Sequence, residues 1–383
     1  MVRNQSLKKS KVRKKRRKIS RMKDIDYSLL CGIMLLLFIG VVMVYSSSSY
    51  YALYENESSE YFIKKEIIWT IVGIIAMFIT MSYDYHNYKK FTSLILVVAF
   101  ILLVAVLFFG SINGAVRWIR IGPLSFQPSE LGKYTVVLYL AYVIDKGKNR
   151  IEDFFGGTIS YLIIPGLIAL LVLLERNLSI TVIIAVVSLI MVIAGGAKIK
   201  YILSLIPLGI AAVIGLIAME PYRLTRFTTF LNPWEAHSDD SYQLIQSFYA
   251  LGSGGIFGVG LGNSKQKALF MPEPHNDFIF AIIGEELGLI GATFVILLFI
   301  FITIKGARIA IKAKDNYGYL LAIGIISVIS IQAVINIAVV TGSIPVTGVP
   351  LPLISYGGTS LVFNLTALGI LLNISRQSKS EVK

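Results

Sequence analysis

Cysteine, histidine and acidic residues are scarce in this sequence. The 383 residues include one cysteine, Cys31, and three histidines, His86, His237 and His275. A lone cysteine excludes an intramolecular disulfide framework, and three histidines far apart in the chain argue against a histidine-based structural metal site. There are 22 acidic residues against 36 lysines and arginines, which gives a formal net charge of +14.

Most of the basic excess lies in one segment near the N-terminus. The stretch KKSKVRKKRRKISRMK, residues 8–23, contains no acid and lies just before the first apolar run. That position favours a disordered cytoplasmic tail, residues 1–26, that contacts anionic membrane lipid. The alternative for such a charge, a nucleic-acid partner, is the weaker interpretation, and we expect no nucleic acid among the partners.

Long apolar runs occupy most of the remaining chain, of which 55% is hydrophobic. A helix needs roughly 18 to 25 apolar residues to cross a hydrocarbon core of about 30 Å. Runs of about this length predict ten transmembrane helices, near 27–46, 67–83, 91–109, 129–145, 157–174, 178–195, 201–219, 277–304, 317–340 and 356–374.

The distribution of basic residues predicts the orientation of these helices. Most lysines and arginines flank the runs on the side of the N-terminus, so both termini are expected to be cytoplasmic. The predicted fold is therefore an all-α polytopic membrane protein with a large external loop between helices 7 and 8. Its parts are a ten-helix domain at 27–374, external loops at 110–128, 220–276 and 341–355, and a cytoplasmic tail at 375–383.

The glycine-rich segment GSGGIFGVGLGNSKQK, residues 252–267, resembles a nucleotide-binding loop only superficially. Gly258 and Gly260 would need a third glycine at the position of Asn263, and no Gly-Lys-Ser/Thr follows. We interpret the segment as a tightly folded re-entrant or surface loop, in which glycine permits unusual backbone angles.

Charged residues fall inside some of the predicted helices, where an unpaired charge costs several kcal/mol. Glu130 and Lys133 share a helix face and form either a buried ion pair that fixes packing or part of a substrate cavity. Glu285 and Glu286 are expected to hydrogen-bond to neighbouring helices or loops.

Asp277 lies at the threshold of the eighth predicted helix, within MPEPHNDFIF, residues 271–280. An acid there can cap the helix and complement its dipole. It can also act as a general base, because desolvation at an apolar boundary raises carboxylate basicity.

External loops supply cations and an aromatic side chain around this position. Arginine recognises phosphate through two parallel hydrogen bonds, and tryptophan anchors at membrane interfaces or shapes a cavity. A cationic, aromatic-rimmed site for a lipid-linked phosphate is predicted from Arg117, Trp118, Gln127, Ser129, Arg223 and Arg226.

Four long motifs in order resemble the SEDS family (shape, elongation, division and sporulation) of bacterial peptidoglycan polymerases. They are NGAVRWIRIGPLSFQPSELGK, FLNPWEAHSDDSYQLIQSFYALGSGGIFGVGLGNSKQK, PEPHNDFIFAIIGEELGLIGA and PVTGVPLPLISYGGTS. The NPW and GLGNSKQK signatures resemble the FtsW branch, which includes a sporulation paralogue, whereas PVTGVPLPL leans toward the RodA branch. Two departures stand out: HND replaces His-Thr-Asp at 275–277, and LLERNLS at 173–179 replaces a stretch with Gln-Pro-Asp-Leu.

The resemblance implies a glycosyltransferase that polymerises lipid II into β-1,4 glycan strands at the outer face of the cytoplasmic membrane. Asp277 matches the family's essential acid and would be the general base. The residues expected to bind lipid II and the undecaprenyl-linked strand are Arg117, Trp118, Gln127, Ser129, Glu130, Lys133, Arg223, Arg226, His275 and Ser355.

The resemblance also implies partners and a cofactor. A class B penicillin-binding protein, which is a transpeptidase, and proteins of the division or elongation complex are the expected partners. A divalent cation, Mg²⁺ or Mn²⁺, is expected without a visible ligand cluster, although Asp277 could contribute. Two alternatives stay open: a lipid II flippase, since intramembrane charges also suit a carrier, and a non-catalytic division scaffold.

Overall fold

The computed structural model describes most of the chain, namely residues 25–56, 58–110, 116–121, 124–147, 150–235 and 239–379. Nearly all of the predicted N-terminal tail and the end of the C-terminal tail lie outside these residues, as does part of the predicted loop 110–128.

Helices account for nearly all regular structure in the described residues. In chain order they are α1 (Tyr27–Asn56), α2 (Tyr61–Ser82), α3 (Tyr88–Val106), α4 (Pro128–Lys146), α5 (Ser160–Leu174), α6 (Leu178–Ala194), α7 (Ile199–Met219), α8 (Pro221–Leu231), α9 (Asp239–Gly254), α10 (Ile279–Ile311), α11 (Asn316–Val340) and α12 (Gly358–Lys379). A 3₁₀ turn (Tyr85–Asn87) precedes α3, and a π-helical turn (Phe154–Ile159) precedes α5.

All ten predicted transmembrane segments are helical, and seven helices of the described chain are long and apolar enough to cross a membrane. These seven are Tyr27–Glu55, Tyr85–Val106, Phe154–Leu174, Ile199–Met219, Ile279–Ile311, Asn316–Val340 and Gly358–Ser378. Helix α6 is apolar but shorter. The fold is therefore helical and polytopic, as predicted.

Two features of the structure go beyond the prediction. A short antiparallel hairpin of β1 (Ile119–Ile121) and β2 (Leu124–Phe126) lies between α3 and α4 within the helical fold. Helices also extend beyond the predicted transmembrane runs, because residues 47–66, between the first two runs, contain the end of α1 and the start of α2. Ser46, Ser47 and Ser48 of α1 are buried, and Ser46 Oγ donates to Glu286.

Small residues allow close helix packing between α2 and α12. A Cβ at Gly73 would collide with Leu365, and a Cβ at Gly369 would collide with Thr80. Thr80 Oγ1 also donates to the Thr366 carbonyl at 2.9 Å. Close backbone approach with an interhelical hydrogen bond is the usual packing mode of helices in lipid. Helix α7 packs much less against the other helices, since only 6% of its most apolar 18-residue stretch is buried in the protein.

Helix α10 is interrupted at Gly288, and the glycine-rich segment supplies the backbone hydrogen bonds that the interruption removes. Gly288 has φ 66° and ψ −168°, which removes neighbouring peptide groups from the helical ladder. Residues 255–260 supply replacement hydrogen bonds: Val259 and Gly260 donate to the carbonyls of Glu285 and Glu286, and Gly255 accepts from Leu289. Irregular backbone at membrane depth requires such protein partners. The segment is the tightly folded loop that the sequence predicted.

A buried polar network holds the same loop to α1 and α10. Lys267 Nζ lies 2.6 Å from Glu286 Oε1 and donates to Ser46 Oγ at 2.9 Å, and all three side chains are buried. Glu285 accepts from the Ser264 hydroxyl and, at 2.9 Å, from the Lys265 amide. The predicted hydrogen bonding of both glutamates to a neighbouring element is confirmed.

Replacing Gly258 by alanine should destabilise the protein. A Cβ there would collide with the Glu286 carbonyl, and the φ of +80° costs a side-chain-bearing residue about 1 kcal/mol or more before the collision is counted. Gly252→Ala is the matched control, because nothing lies within 4 Å of its Cβ position. Thermal unfolding in detergent should show a lower midpoint for Gly258→Ala alone; equal midpoints for the two variants would contradict this account of the loop.

Candidate active site

Asp277 lies in the turn that leads into α10, and it does not cap the helix. Phe278 is the N-cap residue, and its side chain makes no capping hydrogen bond. The Asp277 main-chain carbonyl accepts from Asn336 Nδ2 of α11 at 2.7 Å, which fixes the backbone. The capping interpretation of Asp277 is therefore wrong, and the general-base interpretation remains.

The Asp277 carboxylate is partly buried beside a glycine and two arginines. Asp277 Oδ2 lies 3.3 Å, and Arg117 Nη1 3.5 Å, from the position that a Cβ would take at Gly348. Burial raises the pKa of Asp277 to about 7, and the negative charge of Glu273 adds to the rise. The positive charges of Arg117 and Arg226 oppose it. Near neutral pH such a group can both accept and release a proton.

Two amide side chains of α11, one helical turn apart, hold the segment that faces Asp277. Asn336 Nδ2 donates to the Val349 carbonyl at 2.8 Å as well as to Asp277, and Gln332 Nε2 donates to the Pro350 carbonyl at 3.0 Å. The sequence reasoning missed both residues. The available signal was a pair of amides four positions apart in an otherwise apolar span, since such side chains share one helix face.

Arg117 reaches the site from the residues just before the hairpin. Its Nη2 donates to the Arg176 carbonyl in the turn between α5 and α6. Trp118 follows it and is partly buried, and Gln127, at the other end of the hairpin, is the N-cap residue of α4. The hairpin thus places Arg117 at the same end of the helix bundle as Asp277.

Glu130 and Lys133 of α4 form a closed pair rather than an open cavity wall. Lys133 Nζ lies 2.9 Å from Glu130 Oε2 and donates to Gln332 Oε1 at 2.6 Å. At most 1% of any of these three residues is exposed. Through Gln332 the pair connects to Pro350, so in this structure the two residues contact the site segment indirectly.

The two arginines of α8 point in different directions. Arg226 Nη1 donates to the Val346 carbonyl at 3.3 Å, close to the segment around Gly348. Arg223 Nη1 donates to the Leu216 carbonyl of α7 at 3.0 Å. Arg226 therefore joins the cationic group around Asp277, whereas Arg223 extends away from it.

His275 is held in an aromatic cluster two residues before Asp277. Its ring centroid lies 4.2 Å from that of Phe62 and 5.5 Å from those of Tyr51 and Tyr356. Burial lowers the pKa of His275 to about 4, so the imidazole is neutral at physiological pH. The His275 carbonyl accepts from the Tyr356 amide at 3.0 Å, which ties the two segments together.

The remaining predicted hydroxyls lie at the margins of this group. Ser355 Oγ accepts from the Leu351 amide at 2.8 Å and stabilises a local turn. Ser129, in the first turn of α4, is fully buried. The structure thus brings Asp277, Arg117 and Arg226 together around Gly348, with the other predicted residues surrounding them.

A protein-built metal centre is not found around Asp277. Among the residues that the structure describes, no three His, Cys, Asp or Glu side chains come together in a way that could hold an ion. Asp277 offers one carboxylate. One or two carboxylates are what a Mg²⁺ ion needs when substrate phosphates supply its other ligands.

Comparison with known proteins places the chain in a family. A family model described as "Cell cycle protein" (FtsW, RodA, SpoVE) matches residues 27–380. The chain is 43% identical to stage V sporulation protein E of Bacillus subtilis (strain 168) over 92% of this chain and 98% of that protein. It is 37% identical to the probable peptidoglycan glycosyltransferase FtsW of Geobacter sp. (strain M18), over 94% and 99%.

A solved structure shares the fold. A chain from a structure described as "Structural coordination of polymerization and crosslinking by a peptidoglycan synthase complex" has a TM-score of 0.74 and 24% identity, and the match covers 93% of this chain and 99% of that one. The family match spans nearly all of the described helices, including every residue placed around Asp277. The chain therefore belongs to the FtsW/RodA/SpoVE family of cell cycle proteins.

Proposed function

We propose that this chain is a peptidoglycan glycosyltransferase that polymerises lipid II, with Asp277 as the general base. The activity is the one named for the FtsW relative. The observation that carries the base assignment is the Asp277 carboxylate, which is partly buried, is not used as a helix cap, and lies with Arg117 beside Gly348. Such a group combines proton affinity near neutral pH with nearby positive charge.

In the proposed reaction the acceptor sugar attacks the strand that carries the pyrophosphate. The 4-hydroxyl oxygen of the lipid II GlcNAc bonds to the anomeric carbon of the terminal MurNAc, and its proton passes to Asp277. The bond from that carbon to the pyrophosphate oxygen breaks, the configuration inverts, and undecaprenyl pyrophosphate leaves. Arg117 and Arg226 would offset the charge that develops on the leaving group.

The membrane arrangement proposed for this reaction is the ten-helix topology with both termini cytoplasmic. It adds α2, α4 and α6 to the seven helices that qualify by length and composition. The distribution of lysine and arginine supports this orientation and would direct Asp277 outward from the cytoplasmic membrane. Sugars would then meet the carboxylate from water while the polyprenyl tails stay in lipid.

A divalent cation, Mg²⁺ or Mn²⁺, forms part of the proposal. Pyrophosphate oxygens would supply most of its ligands, and the ion would neutralise phosphate charge while the Asp277 carboxylate accepts the proton. His275 and Ser355 are less direct contributors in this proposal, because the first is buried among aromatic rings and the second is bonded to backbone.

The proposed partner is a class B penicillin-binding protein, acting with division or elongation proteins. The structural neighbour comes from a complex that coordinates polymerization with crosslinking, which supports a crosslinking partner for this chain. The relatives' names include both sporulation and FtsW proteins, so the cellular role is proposed only as cell-wall synthesis in this family.

Asp277→Ala and Asp277→Asn should abolish polymerisation. Loss of a general base slows a reaction by about 10²- to 10⁴-fold. The assay uses the full chain with its transpeptidase, fluorescent lipid II and Mg²⁺, and resolves glycan strands on a gel. Glu273→Gln, which alters an exposed acid four residues away, should retain polymer. Polymer from the Asp277 variants at the wild-type rate would exclude the base role, and lipid II translocation without polymer from the wild type would favour the flippase.

The pH dependence of the rate should report Asp277. Because a base must be deprotonated, the rate should rise with pH around a midpoint of about 7, the raised pKa of this carboxyl. Glu273→Gln removes a negative charge that raises this pKa, so the rise should move to lower pH. Initial rates across pH 5 to 8 measure both effects. A shift to higher pH in Glu273→Gln would contradict the assignment.

Asn336→Ala should lower kcat by a larger factor than it lowers the yield of folded protein. The Asn336 amide bonds both the Asp277 and Val349 carbonyls. Losing a buried hydrogen-bond donor costs about 1–3 kcal/mol. If the site geometry is lost with it, the rate should fall roughly tenfold or more. Asn364→Ala is the control, because Asn364 is an equally buried amide bonded to Tyr134 instead. Equal kcat values for the two variants would show that Asn336 has no special role.

A further inference from the structure

Glu175 is a buried acid that the reaction proposed above does not use. It lies in the turn between α5 and α6. Its exposure is 0%, and among the described residues neither carboxylate oxygen has a hydrogen-bond partner with acceptable geometry. Ser129 lies close enough to act on the carboxyl group but does not complete a hydrogen bond. Buried polar groups without partners are rare and require an explanation.

Arg117 connects this acid to the candidate active site. One guanidinium nitrogen, Nη2, donates to the carbonyl of Arg176, the residue next to Glu175. The other, Nη1, lies with Asp277 Oδ2 beside the Cβ position of Gly348. The charge of Arg117 acts on the carboxyl groups of both Glu175 and Asp277. The charge of one guanidinium group thus influences two acids, of which Glu175 is buried and Asp277 is partly buried.

We propose that Glu175 is a positioning residue that acts through Arg117: neutral Glu175 leaves the guanidinium beside Asp277, and ionised Glu175 draws it toward the α5–α6 turn. The proposal rests on the function proposed above, since it assigns Arg117 to the pyrophosphate end of that site. It predicts that Glu175 must keep its proton for Arg117 to stay in place during polymerisation.

The charges around Glu175 are few. Arg117 is the charged side chain that acts on it, and the Arg176 side chain is exposed. On α4, the helix that carries Ser129, Glu130 and Lys133 pair with each other. Burial raises the pKa of Glu175 to about 8, against the opposing effects of Ser129 and Arg117. Glu175 is therefore mainly neutral at pH 7 and ionises as the pH rises through about 8.

Asp277 has additional charged neighbours. Glu273 raises its pKa, whereas Arg117 and Arg226 lower it. Movement of Arg117 toward ionised Glu175 would leave Arg226 as the main cation beside Asp277 and would weaken charge compensation for the leaving group. The rate should therefore rise as Asp277 loses its proton and fall as Glu175 loses its own, in a bell-shaped profile that belongs to the coupled pair.

The test compares initial polymerisation rates of wild type, Glu175→Gln and Glu60→Gln between pH 5.5 and 9.5. The assay uses the full chain with its transpeptidase and lipid II. Glutamine imitates the neutral acid, so Glu175→Gln should match wild type within about twofold at pH 7 and lose the fall above pH 8. Glu60, an exposed acid paired with Lys64, is the control and should keep the wild-type profile. A fall of unchanged size and midpoint in Glu175→Gln, or a wild-type rate that stays level to pH 9.5, would overturn the proposal.

Infrared spectroscopy gives a second measurement that requires no activity. Wild type at pH 7 should show a protonated carboxyl band that is missing in Glu175→Gln and present in Glu60→Gln. Replacing Arg117 by alanine should move the loss of this band to higher pH, because Arg117 favours the ionised form of Glu175. No band assignable to Glu175, or an unmoved titration in Arg117→Ala, would overturn the proposal. If Glu175→Gln does not fold, the wild-type pH profile and the Arg117→Ala titration still decide. If wild type makes no polymer, the proposed function fails while the infrared result still decides whether Arg117 and Glu175 are coupled.

Discussion

Backbone groups that leave a helix inside an apolar bundle have no water to bond, and the rest of this structure depends on how the protein supplies their partners. At Gly288 the partners come from residues 255–260, which pair with both sides of the broken helix. At the candidate site they come from side chains, because Gln332 and Asn336 bond the carbonyls of Pro350, Val349 and Asp277. Both solutions place non-helical chain at a defined position.

The same constraint explains why the site is assembled from distant parts of the sequence. Asp277 precedes α10, Asn336 lies in α11, Arg117 precedes the hairpin and Arg226 lies in α8. No two of these residues are neighbours in the chain. The side chains of Arg117, Arg226 and Asn336 each donate to a backbone carbonyl elsewhere, and the carbonyl that accepts from Asn336 is that of Asp277. A site built this way takes its groups from several elements at once, which suits a reaction that requires a carboxylate and cations to be positioned in advance.

Much of this architecture could be predicted from the sequence, since apolar run length alone located every long helix. Asp277 could be singled out because a carboxylate at the start of an apolar run requires an explanation. The bond between Ser46 of α1 and Glu286 could not be predicted, because local polarity does not reveal a partner 240 positions away. Gln332, Asn336 and Glu175 were not recognised as parts of the site region for the same reason: their roles come from long-range contacts that composition and periodicity do not encode.

The buried pair of Glu130 and Lys133 contributes by positioning Gln332 rather than by stabilising the fold. Removing two charges from water costs about as much as their attraction returns, so apolar replacements of similar volume are often neutral or stabilising. What an apolar pair could not do is direct the amide of Gln332. Lys133 donates to Gln332 Oε1, which leaves Gln332 Nε2 oriented toward the Pro350 carbonyl. The pair thus fixes one orientation of the Gln332 side-chain amide. Because the nitrogen of that amide bonds the segment facing Asp277, the pair affects the site by orienting Gln332.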